Sequence, residues 1–393
     1  VDLAARVPPM GEDGAVRTQV VGVAVGGTVL CLAAAAGIAV LATSGGAGTP
    51  VGQPTDAAAT AKATAPPAAP LRVVAVQHAG AATPAAELGA VTVTFSSAAP
   101  AVVPTLTPVL AGRWTHPTPT TARFAPAATP IPGTTYTVSV AAGALDAAGG
   151  SLATAWHASW QTRSGSAARL QQLLAETGYL PLSFHATTAE PRTATAMAAT
   201  AYAPVAGAYA WRFTAPSSLR DLYVGATSTL LTRGAVLAFE AAHGLAPDGV
   251  AGPKVWGALD AAAAARAVTA APYTSVAVTK TLPETLTLYR NGAVALTAKA
   301  NTGVAGAPTP DGSWAVYARY RSETMSGTNP DGSHYSDPGV PWISYFSGGD
   351  AVHGLPRADY GHPQSVGCIE LPIATAAQVY GLMGYGDIVT VSG

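Results

Sequence analysis

Between residues 71 and 163 apolar and polar positions alternate in short runs, RVVAVQH, AVTVTFS, TARFAP, TTYTVSV and ATAWHASWQT, with proline and glycine between them. A period of two puts every second side chain on one face of a sheet, so regular short strands punctuated this way predict an antiparallel β-sandwich over 71–164. Trp114, Trp156 and Trp160 fall within that alternation and are expected as core aromatics. From Ser166 the period changes. LQQLLAETGYL and RGAVLAFEAAHGL space their apolar residues as helices do, and the turn APDGVAGP leads into VWGALDAAAAARAV with Pro253 at a first-turn position. Beyond Tyr273 the pattern is β again. TLTLYR and AVALTAKA flank Asn291-Gly292, the dipeptide that a type I′ hairpin turn requires. SWAVYARYR and DIVTVSG read as further strands, and a helix is expected at about 373–382.

One block fits neither period. Residues 20–42, opened by Val20 and closed by Ala42, are apolar for 23 positions inside a stretch (18–55) without a charge. At 1.5 Å per residue that crosses a hydrocarbon core of about 30 Å. Arg6 and Arg17 precede it and the next basic residue is Lys62, so the positive-inside rule predicts a single-pass membrane anchor with residues 1–42 as cytoplasmic tail and span, and the rest outside. A cleaved signal peptide is the rival, but its apolar region is about 7–15 residues, and no convincing A-x-A site closes this run. Residues 43–70, rich in Ala, Pro, Thr and Gly, read as a linker whose extended length is about 85–90 Å at roughly 3.1 Å per residue.

Composition narrows the class. In 393 residues, 42 glycines and 32 prolines leave little room for long helices, and only 10% of positions are charged. Several modules joined by linkers account for this better than one large core. A net charge of −1 with no Lys/Arg run excludes the basic stripe of a nucleic-acid binder. The two cysteines, Cys31 in the apolar span and Cys368 near the far end, cannot pair across a membrane. Cys368 is therefore a free thiol in an exported region, either inert or reactive.

Its surroundings, AVHGLPRADYGHPQSVGCIEL, favour reactivity. His353 lies fifteen positions upstream and is followed by Gly354. An imidazole can take the proton of a thiol that is otherwise only a few per cent ionised at neutral pH. Gly367 lets the backbone come close to a substrate, so the N–H groups of Gly367 and Cys368 are candidate oxyanion donors. His362 is a second candidate base, less favoured because it precedes proline in a loop. The spacing of His334, His353 and His362 matches no compact ligand set, so no metal and no cofactor are expected.

Three segments resemble known modules. The sandwich resembles an immunoglobulin-type spacer. Ala235, Val236, Phe239, Asp248, Gly249, Gly252, Pro253 and Trp256 resemble the peptidoglycan-binding helical repeat, here interrupted by an insertion at about 185–229. The HG dipeptide and the Ser365-Val366-Gly367-Cys368 motif resemble the L,D-transpeptidase catalytic domain of YkuD type. That likeness extends over 273–393 through GAPTPDGSW, VPWISYF and GDIVTV. The fold expected is thus multidomain and mainly β: an N-terminal membrane helix, a sandwich at 71–164, a small helical wall-binding module at 165–268 and a β-rich catalytic domain at 269–393.

The resemblance implies Cys368 as nucleophile, His353 as general base oriented by the carbonyl of Gly354 or a neighbour, and Ser365 shaping the turn. It also implies that Met325, Tyr335, Trp342 and Tyr345 line the acyl-donor cleft. Peptidoglycan stem peptides are the implied partner, and carbapenem β-lactams the implied covalent inhibitors. The family pattern has histidine where this chain has Val366, and arginine or asparagine where it has Glu370, so a negative charge is expected beside the site. The implied reaction is 3→3 cross-linking through a cysteine thioester. An L,D-carboxypeptidase of the same fold and a non-catalytic wall-binding scaffold are the rivals.

Overall fold

The first sheet of the chain forms because β-branched and aromatic residues alternate with threonines. Strands β1 (Val73–His78), β2 (Val91–Phe95), β3 (Thr105–Thr107), β4 (Gly112–Thr118), β5 (Thr121–Pro126), β6 (Thr135–Val140) and β7 (Trp156–Gln161) make two antiparallel sheets, ordered β1-β2-β5-β4 and β3-β6-β7. Val91, Val93, Phe95, Phe124, Tyr136, Val138 and Val140 fill the space between them, with Trp114, Trp156 and Trp160 half-buried against that core. β3 and β4 carry no alternation long enough in sequence to mark a strand. β3 is three residues long, and β4 is an edge strand whose Pro117 coincides with a register shift, a placement an edge tolerates. The structure is a computed structural model that describes residues 68–78, 90–223 and 229–393. The expected membrane span at 20–42, its cytoplasmic tail and nearly all of the linker lie outside the described residues, and no described helix is long and apolar enough to cross a membrane.

The helical segment comprises α1 (Ala167–Glu176), β8 (Leu182–Ala186), α2 (Ala194–Ala198), β9 (Gly207–Trp211), α3 (Ser217–Arg220), α4 (Leu230–Ala242) and α5 (Pro253–Ala264). Ser166 caps α1, its Oγ accepting from the N–H of Arg169, and Pro253 opens α5 where its missing N–H has no intrahelical partner to lose. Leu173, Leu174, Phe239, Trp256 and Leu259 are buried together. The described part of the insertion supplies most of the β8–β9 pair, α2 and α3, and it contributes Met197 and Leu219 to the same core.

The remaining strands are β10 (Thr274–Thr279), β11 (Thr285–Arg290), β12 (Ala293–Lys299), β13 (Gly312–Ala315), β14 (Ala318–Thr328), β15 (His334–Ser347), β16 (Asp350–Gly354), β17 (Ile369–Leu371) and β18 (Ile388–Ser392), with α6 (Ile373–Leu382) before the last. They form a five-stranded sheet, β12-β11-β10-β18-β13, and a four-stranded sheet, β14-β15-β16-β17. Asn291 and Gly292 have φ of +47° and +78°, the two positive values of a type I′ turn. β10–β18 and β16–β17 are parallel pairs, so long connections return the chain between them. Val276, Val278, Leu286, Leu288, Phe346, Val352, Ile369, Leu371, Val389 and Val391 share one core, with Ala376 and Val379 of α6 against it. The described protein is mainly β and multidomain.

Candidate active site

The β16–β17 pair decides what the chemistry can be. Val352 stands opposite Ile369, His353 opposite Glu370 and Gly354 opposite Leu371. Alternation sends Val352, Ile369 and Leu371 into the core. The reverse face carries the others. Cys368, one residue before β17, packs with Ala351, and His353 follows Ala351 by two positions on the same side of the same strand. Thiol and imidazole therefore share one face of one parallel ribbon, a diagonal apart on its two neighbouring segments.

His353 is 4% exposed, and its Nδ1 lies 3.2 Å from the carbonyl oxygen of Gly354. A carbonyl only accepts, so Nδ1 carries the proton and Nε2 is left with the lone pair. Burial holds the imidazole below its ordinary acidity range, opposed by that hydrogen bond and by the charge of Glu370. Cys368 is half-buried, its Sγ 4.0 Å from the carbonyl oxygen of Gly349. Burial pushes the thiol up to about 12; the N–H of Ala351 opposes the shift, and the charges of Asp350 and Glu370 add to it. Both shifts favour the neutral forms. Thiol and imidazole on this face are thus both neutral at rest, which suits proton transfer during attack rather than a standing thiolate.

The loop before Cys368 is held by buried threonines and acids. Glu284 accepts from the N–H (2.7 Å) and the hydroxyl (2.7 Å) of Thr302, whose carbonyl in turn accepts from Ser365 N–H at 3.0 Å. Thr309 Oγ1 donates to the carbonyl of Gly367 at 2.7 Å, and Ser365 Oγ donates to the carbonyl of Cys368 at 2.6 Å. With both carbonyls fixed, the N–H groups of Gly367 and Cys368 have no hydrogen-bond partner among the described residues. Only glycine fits at 367, where φ is +111° and a Cβ would fall 2.2 Å from Asp350 Oδ1.

Glu370 differs from its sequence reading. It is buried, and Arg357 clasps it with Nε at 2.8 Å and Nη2 at 2.7 Å. The negative charge expected from the sequence is present, and it is held in a bidentate ion pair. Arg357, thirteen residues away in an irregular loop, gave no periodic signal that could have revealed this. His362 is 3.6 Å from Asp359 and belongs to that exposed loop, not to the thiol.

The long β14–β15 hairpin covers the thiol. Met325 and Tyr345 pack in one cluster with Cys368, Val340, Ile343 and Ala351, and Tyr345 donates to Glu323 Oε2 at 3.2 Å. The hydroxyl of Tyr335 is made less acidic chiefly by burial and then by the neighbouring Cys368. Trp342 is the exception to the cleft expected from sequence. Its φ of +61° breaks the alternation of β15 and turns the indole toward the core, 5.6 Å from the Tyr380 ring on α6. Asp350 and Tyr317 went unremarked in sequence; Tyr317 donates to the carbonyl of Gly348, in the turn before Asp350.

Residues 274–391 match the family model for the YkuD L,D-transpeptidase catalytic domain. The YkuD L,D-transpeptidase catalytic domain thus lies at 274–391, and the protein is an enzyme of the L,D-transpeptidase class. Among solved structures, the catalytic domain of an Enterococcus faecium L,D-transpeptidase is 27% identical over 32% of this chain and 100% of its own, with a TM-score of 0.29. A cysteine-to-serine variant from the same organism is 25% identical over 32% of this chain and 52% of its own, with a TM-score of 0.29. L,D-transpeptidase 3 of Mycobacterium tuberculosis, carrying a faropenem-derived adduct, is 16% identical over 77% of this chain and 91% of its own, with a TM-score of 0.28. The alignment thus spans about half the length of the longer enterococcal chain. No curated protein matches the sequence.

Proposed function

We propose that the protein forms 3→3 cross-links in peptidoglycan, with Cys368 as the nucleophile. Sγ attacks the carbonyl of the third, diamino-acid residue of a tetrapeptide stem while Nε2 of His353 takes the thiol proton. The imidazolium then returns that proton to the departing D-alanine amine, leaving a thioester. The free N–H groups of Gly367 and Cys368 face the developing oxyanion, where one donor is typically worth about 10²–10³ in rate. An amine from a second stem opens the thioester, and the thiol is restored. Carbapenem-class β-lactams acylate the same sulfur. The helical module at 165–268 grips the wall, the sandwich at 71–164 acts as a spacer, and residues 20–42 anchor the chain in the membrane.

The observation that carries this reading is the shared face of Cys368 and His353, with Gly354 fixing the imidazole tautomer. The purified protein with a disaccharide-tetrapeptide tests it. Cross-linked dimers joined between third residues are expected. Tripeptide alone identifies an L,D-carboxypeptidase, and unchanged tetrapeptide would sink the proposal.

A further inference from the structure

Asp350 lies next to Cys368, between the Gly348-Gly349 turn and Gly367. It opens β16 directly after Gly348-Gly349, and Cys368 Sγ lies against the Gly349 carbonyl. Its Oδ1 rests on the backbone of Gly367, so close that any side chain there would collide with it. The carboxylate has neither a hydrogen bond nor an ion pair among the described residues. Its charge acts on Cys368, Tyr317 and Tyr335, making each less acidic. An unpaired carboxylate in this position hinders the thiol, because it disfavours the thiolate. Nothing in the acylation half explains why it stands there.

Deacylation by an amine does. A side-chain ammonium reaching the thioester brings a positive charge and three N–H bonds, of which the product amide keeps one. Two protons must leave. We propose that Asp350 receives the ammonium group of the acyl acceptor beside the thioester and takes its first proton, making this acid the residue that selects an amine over water. The second proton passes from the tetrahedral intermediate through His353 to Cys368 Sγ as the C–S bond breaks. Overall, ammonium and thioester give amide, thiol and one proton, which Asp350 returns to solvent. Burial holds the Asp350 carboxyl at about 6, so it is an anion at neutral pH yet basic enough to accept a proton in passing.

This inference rests on the reading of Cys368 as the acylated nucleophile, and the test separates the two. Separate samples of wild type, Asp350→Asn and Asp350→Glu are either acylated with imipenem and followed by intact mass, or left free of imipenem and given a disaccharide-tetrapeptide with and without hydroxylamine. Hydroxylamine is uncharged at neutral pH and needs no carboxylate to receive it. The expected result for Asp350→Asn is undiminished imipenem acylation and a ratio of dimer to tripeptide lower by about tenfold or more. Its hydroxamate yield stays at the wild-type level, and Asp350→Glu recovers part of the dimer. A dimer-to-tripeptide ratio unchanged in Asp350→Asn overturns the inference and leaves the nucleophile reading intact. Dimer and hydroxamate falling together would reduce Asp350 to a prop for the Gly367 loop and equally overturn it. Absence of acylation in wild type would remove the nucleophile reading itself.

Discussion

Strands β6 and β16 are of similar length and each lies between two neighbours, both antiparallel for β6 and one antiparallel, one parallel for β16, yet they are buried differently. β6 hides Tyr136, Val138 and Val140 and leaves the residues between them exposed or half-exposed. β16 hides four residues in succession, Ala351 to Gly354, and β17 hides all three of its own. A sheet with one wet face needs only one apolar row, and water satisfies the other. When both faces are dry, polar groups on the second face must be paired or kept neutral. On β16–β17 that second face carries His353, Glu370 and the adjoining Cys368. Dryness is therefore what sets their chemistry: it lowers the imidazole, raises the thiol and demands Arg357 as partner for Glu370.

Substitutions that break this contrast should differ steeply in effect. Cys368→Ala removes the only nucleophile proposed, and dimer and tripeptide formation should both fall by about 10³-fold or more in a chromatographic assay. His353→Gln keeps the shape but removes the base, lowering turnover by about 10²–10⁴. The pH profile sharpens that result. A protonated imidazole cannot accept the thiol proton, and burial sets this group below 6.5, so wild-type acylation should hold as pH drops through 6.5 and fail only below it. The glutamine variant should lose this acid limb.

Arg357→Gln strands a buried carboxylate and should cost about 3 kcal/mol in denaturant unfolding. Glu370→Gln should cost less, because the arginine side chain is 32% exposed and keeps some water. On the wet face of β6, Thr137→Ala gives up only an exposed hydroxyl contact with Ser159 and should stay within about 0.5 kcal/mol of wild type. A Thr137 effect as large as that at Arg357 would erase the distinction between the two sheets.

The same contrast explains what could be read in advance. β5, β6, the Asn291-Gly292 hairpin and α6 declare themselves because one face meets water or because a turn admits few residues. β3 and β4 do not, being respectively too short and too polar. Cys368 and His353 stood out through their neighbours Gly367 and Gly354, which mark backbone requirements visible in one dimension. Arg357, Asp350 and the turn of Trp342 away from the thiol did not, because each depends on where an irregular segment places a side chain. Glu370 was visible as a charge, but its neutralisation was not.

The central claim is that Cys368 is activated by His353 across the dry face of one ribbon. Peptide-mapped mass spectrometry of the wild type, with imipenem at neutral pH, tests it most directly when the rate of adduct growth is compared with that of His353→Gln. The account predicts a single adduct on Cys368 whose formation slows about a hundredfold or more in the variant. An adduct on another residue, or equal rates in the two proteins, would contradict it.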